Sequence, residues 1–163
     1  MSRSRTKSID KLRCGTLTVQ KIIQGGDPFN ENPTETPGGT TALISATMVV
    51  GTEALNVINV TVQLEDGAGD DMARASCIAF YLSSDADGQV LEGTGPDTIA
   101  IGTDGVIIPS GGDSVITGML VSEADGDIDL DITKTGADTF YLNLVMPDGS
   151  LSTSGVITFD STT

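Results

Sequence analysis

The feature that most constrains this chain is a rhythm of short alternating runs cut by turns of Gly, Asp and Pro, sustained from about Ala42 onward. In "NVINVTVQLED", Ile58, Val60, Val62 and Leu64 are set against Asn59, Thr61 and Gln63, with apolar Val57 shifting the face near its start. "SCIAFYLS", "TIAIG", "GVIIP", "SVITGMLVSE", "DIDLDIT", "TFYLNLVM" and "SGVITF" follow. Between them stand "EDGAGDD", "SDADGQ", "GTGPD", "TDG", "SGGD", "EADGD", "KTGAD" and "MPDGS". Strand side chains point to opposite faces in turn, so a period of two marks a half-buried β-strand. Seven or eight such strands with Gly/Asp turns predict an all-β fold. The expected form is an antiparallel β-sandwich, immunoglobulin-like or jelly-roll, with an extended N-terminal arm. "TFYLNLVMPDGSLSTSGVITF" reads as a hairpin, Pro147 fixing φ at the turn and Gly149 supplying positive φ.

Texture divides the chain into an arm at 1–26, a Pro/Gly linker at 27–41 and an acidic sandwich at 42–163. A body of ~120 residues buries roughly two-thirds of its unfolded surface, enough for a core without metal or disulfide staples. Residues 1–13 are polar and basic and are expected to be disordered when alone. Residues 14–26 alternate through Leu17, Val19 and Ile22 and end in a glycine pair. A lone strand of this kind has nothing of its own to pair with, and is best placed by adding to a neighbouring sheet.

Charge is split along the same line. Residues 1–21 hold Arg3, Arg5, Lys7, Lys11, Arg13 and Lys21 against Asp10, a net +5. Residues 22–163 hold Arg74 and Lys134 against 22 acids, a net −20. A body so acidic repels nucleic acid and anionic membranes, so neither is expected as its partner. The arm is the candidate partner-binding element, its six cations joined by the apolar Leu17, Val19, Ile22 and Ile23.

The acidic stretch "EADGDIDLDI", Glu123 to Ile132, admits two readings: a cation loop or the wet face of a strand. Asp127, Asp129 and Asp131 alternate with Ile128, Leu130 and Ile132, which puts the aspartates on one face about 7 Å apart. Calcium needs six to eight oxygens gathered by a curled loop, and the full calcium-loop pattern is absent. A solvated strand face is therefore expected, with no metal and no cofactor.

Catalysis has little to build on. The chain has no His, hence no Ser-His or Cys-His pair and no imidazole ligand. Among 23 acids chance carboxylate pairs are inevitable, and "GTGPD" lacks the Lys and helix of a phosphate loop. No enzyme is expected. Cys77, in the apolar "ASCIAFYL", reads as a buried small hydrophobe, and Cys14 as an accessible thiol in the arm. Two cysteines make no disulfide framework, which suits a reducing cytoplasm. The first apolar stretch, "TLTVQKII", is too short and interrupted for a signal peptide. Tyr141 in "DTFYL" reads equally as a tyrosine corner, its hydroxyl tied to backbone, or as a core aromatic.

The text "VTVQLEDGAGDDMARASCIAFYLSSDADG", "IAIGTDGVIIP", "GMLVSEADGDIDLDI" and "ITKTGADTFYLNLVMPDGSLSTSGVITF" resembles structural proteins of tailed bacteriophages, over about residues 56–160. Proteins of that kind are head decoration, cement or head-fibre proteins. The resemblance implies a virion protein assembled in the host cytoplasm, a homotrimer whose arm grips the major capsid protein on the outer head surface. Two other classes stay open: a head-fibre or tail adhesin that binds a host surface glycan through its loops, and an immunoglobulin-like binding module unrelated to virions that uses the arm as a domain linker.

Overall fold

The computed structural model describes residues 22–24, 27–29, 42–108 and 115–160, and the chain falls into two units, 1–36 and 37–163. In the first unit, β1 (Ile22–Gln24) pairs antiparallel with β2 (Asp27–Phe29), Ile23 opposite Pro28. This differs from the sequence expectation at two points: the strand-like segment finds a local partner, and that partner lies at the head of the predicted linker. Pro28 has no N–H to donate, and an edge strand tolerates this.

Among the described residues, the second unit holds ten strands. One sheet is ordered β3 (Leu43–Val50), β4 (Val57–Asp66), β9 (Asp127–Thr133), β6 (Thr98–Ile101). The other is ordered β11 (Leu151–Thr153), β10 (Asp138–Val145), β5 (Cys77–Ser83), β8 (Thr117–Val121), β7 (Val106–Ile108). In it, β12 (Ile157–Phe159) also pairs with β10. Every pairing is antiparallel. The alternating residues expected inside are inside: Ile58, Val60, Val62 and Leu64 on β4 share one buried cluster with Ile78, Phe80 and Leu82 on β5. Phe140 and Phe159 close the core between β10 and β12, ring centroids 5.8 Å apart.

The order β3-β4-β9-β6 against β12-β10-β5 is that of the two sheets of an immunoglobulin constant-type sandwich. The hairpin β7–β8 enters the chain between β6 and β9 and pairs beside β5. All eight predicted runs are strands. Two strands lay outside them. In β3 the register shifts between Leu43 and Ser45, and Met48, Val49 and Val50 run together, which blurs alternation. β11 is only three residues long. The predicted last hairpin has a broken return strand: Ser154 donates its N–H to the Leu142 carbonyl, and its Oγ accepts the Leu142 N–H, where β11 gives way to β12.

Most of the predicted turns carry a glycine at positive φ. At Gly126 (φ 94°) there is no room for anything larger: a Cβ would sit 2.7 Å from the Leu64 carbonyl oxygen and from Gln63 Nε2. The turn joining β3 to β4 uses Leu55 (φ 54°) and Asn56 (φ 64°), the two positive φ values of a type I′ hairpin. The bonds Ala54 N–H to Val57 O (2.8 Å) and the reverse (3.0 Å) close it.

Candidate functional site

Of the predicted partner-binding residues, Ile22 and Ile23 lie on β1. Arg3, Arg5, Lys7, Lys11, Arg13, Leu17, Val19 and Lys21 lie outside the described residues, as does Cys14. The body presents two unlike outer faces.

On the outer face of β4 and β9, Asp127, Asp129 and Asp131 alternate with buried Ile128, Leu130 and Ile132, as their spacing predicted. Each aspartate stands opposite a polar residue of β4: Gln63, Thr61 and Asn59. Asn59 Nδ2 donates to Asp131 Oδ1 at 3.0 Å, and the Thr103 hydroxyl donates to Asp129. Asp129 and Asp131 are thus engaged sideways by neutral donors, whereas the Gln63 amide opposite Asp127 donates to backbone carbonyls.

At one end of that stripe the acids crowd. Burial and then the carboxylates of Asp125, Asp104, Asp71 and Asp129 hold the Asp127 carboxyl above its ordinary value of 3.8. Beside it lies a shallow depression of about 610 Å³ lined by Asp71, Asp104, Glu123 and Asp125 with Met72. Gln63 Nε2 braces this corner by donating to the Asp125 carbonyl at 2.9 Å. Among the described residues no three carboxylates are grouped as a metal would require. The corner concentrates negative potential without gathering ligands.

The outer face of β5, β8 and β10 is apolar at Cys77, Ala79, Met119, Val121 and Val145 and polar toward Tyr81 and Asn143, and here the structure corrects two readings. Cys77 is exposed. The register of β5 turns Ile78, Phe80 and Leu82 inward and Cys77 and Ala79 outward. The run is apolar on both faces, so alternation alone did not choose between them. Tyr141 is half-buried and stands outside the core cluster. The tyrosine tied to backbone is Tyr81, whose hydroxyl donates to the Gly88 carbonyl at 2.6 Å. Beside it, Asn143 is fully buried: its Nδ2 donates to Ser83 Oγ (2.7 Å) and its Oδ1 accepts from Thr153 (2.8 Å). This polar cluster, legible in neither composition nor alternation, ties the loop 84–90 over one end of the sheet.

Of the body's two cations, Lys134 is taken up by Asp138 (3.1 Å) and by the Gly95 carbonyl (2.7 Å). Comparison with family models, with curated proteins and with solved structures finds no match.

Proposed function

We propose that the chain is a decoration protein of a tailed-bacteriophage head. Residues 1–26 hold the outer surface of the major capsid protein, and the acidic sandwich faces the solvent. The observation that carries this reading is the partition of charge, +5 in residues 1–21 against −20 in the rest. A cationic segment and an anionic body on one chain suit a protein that is anchored at one end and kept from non-specific contacts at the other.

The surface chemistry supports an architectural role. The carboxylates of β9 are spread along a strand, and two of them, Asp129 and Asp131, are met by neutral side chains. All six aromatic residues, Phe29, Phe80, Tyr81, Phe140, Tyr141 and Phe159, lie on strands. A glycan-binding adhesin would want aromatic platforms at loop tips, so decoration is the better reading. Repeated copies on a lattice would multiply a modest affinity per arm through effective concentration.

Co-sedimentation with purified heads tests the attachment. The full chain should pellet with heads, and a chain lacking residues 1–26 should stay in the supernatant. Equal pelleting of both would remove the arm from the account.

A further inference from the structure

We propose that the outer face of the sheet β7-β8-β5-β10-β11 is a self-association surface, on which the same face of a second copy docks. Directly opposed residues of an antiparallel sheet share a face. The register therefore places Ile108, Met119, Ala79, Val145 and Leu151 in one row that crosses all five strands. Ile108, Met119, Val145 and Leu151 are between 37 and 49 % exposed, and Ala79 is exposed as well. A second row runs Val106, Val121, Cys77, with Val106 and Cys77 exposed. Neither row contains a charged residue.

The distribution of charge narrows the choice of occupant. A cationic partner would be drawn to the opposite sheet, where Asp127, Asp129 and Asp131 line up. These two rows offer it nothing. Two copies of a chain carrying −15 repel through most orientations. They meet with least repulsion where the carboxylates are absent, and a two-fold axis through this face sets the same uncharged rows of both copies against each other. Five strands at ~4.8 Å spacing and rows ~7 Å apart give a strip on the order of 300 Å². A standard interface buries about 800 Å² per partner, so this strip is the apolar centre of a modest, concentration-dependent dimer with a polar rim. Pairing of one face with itself gives a two-fold assembly, distinct from the threefold one that the phage resemblance implies.

Sedimentation velocity of the full chain, without heads, from about 1 to 300 µM brackets the affinity such a strip supports. The expected result is twice the chain mass at the upper end. The dimer fraction should rise as salt goes from 0.01 to 1 M, because screening shortens the Debye length from about 30 to 3 Å. Met119→Glu and Ala79→Glu, each placing a carboxylate in the central row at an exposed position, should be monomeric throughout. Val49→Glu, which adds the same charge at a 60 % exposed position on the other sheet, should dimerise like the parent. Thermal unfolding of each variant checks that it is folded. In a Cys14→Ser background, Cys77 should react with maleimide several-fold more slowly at high protein concentration, and Met119→Glu should remove that protection. A monomer under all conditions, a trimer, or a dimer indifferent to Met119→Glu would each overturn the proposal. None of these results bears on head binding.

Discussion

The Tyr81 hydroxyl reaches the carbonyl of Gly88, seven residues on, and the backbone at Gly88 (φ 69°) brings that carbonyl within 2.6 Å. The approach is close: a Cβ at Gly88 would stand 2.7 Å from Asn143 Oδ1 and 2.8 Å from the Tyr81 oxygen. The loop 84–90 is thus clamped between a tyrosine and a buried asparagine.

Tyr81→Phe removes one hydrogen bond and little volume, and should lower unfolding stability by about 1 kcal/mol. Gly88→Ala adds both a strained φ and a steric clash, and should lower it by about 1–3 kcal/mol. Urea unfolding followed by tyrosine fluorescence or circular dichroism measures the substitutions on one scale. A Gly88→Ala protein as stable as the parent would contradict the clamp.

Asn143→Ala leaves the buried Ser83 hydroxyl and the Thr153 hydroxyl without their shared partner and opens a small void. A loss of about 2–4 kcal/mol is expected. Amide exchange should show the loop 84–90 opening well before the β4–β9 pair, which stays protected to the global limit.

Asp127 gives a pH dependence of definite sign. Its carboxyl is held above 3.8 by burial and then by neighbouring acids, so the native state binds the proton more tightly than the unfolded chain does. Its ionised form therefore opposes folding above the folded-state pKa, and the penalty is relieved as pH falls through that value toward 3.8. Asp127→Asn should raise the unfolding midpoint at pH 7, and the gain should vanish by about pH 3. Asp97 runs the other way. The Thr135 N–H, donated to Asp97 Oδ2 at 2.8 Å, heads the causes that hold its carboxyl below the ordinary range, so its contribution is present above that range and lost on acidification. Asp97→Asn should lower the midpoint at pH 7 and converge on the parent in acid.

How legible was all this? The three aspartates of β9 declared themselves, because a residue pattern of Asp-Ile-Asp-Leu-Asp-Ile leaves one choice of inner face. At β5, Cys77, Ile78, Ala79 and Phe80 are apolar on both sides, so the strand was readable and its buried face was not. That same ambiguity concealed the exposed rows, which emerge only when register aligns Ile108, Met119, Ala79, Val145 and Leu151 from five separate strands. Strand order is likewise a property of pairing: β10 accepts β11 at one end and β12 at the other, and no local pattern encodes this. The Asn143 cluster joins residues 60 apart in sequence and left no local signal.

Reversing charge in the arm should release the protein from heads. Arg3→Glu, Arg5→Glu and Lys7→Glu together should weaken pelleting by at least tenfold, and raising salt should weaken the parent in parallel. Binding unchanged by either would place the contact elsewhere.

The most direct measurement is immunogold electron microscopy of intact particles from a lysate containing the protein, with an antibody raised against the sandwich. The account predicts dense, regular label over the head. Label confined to the tail, or particles without label, would contradict it.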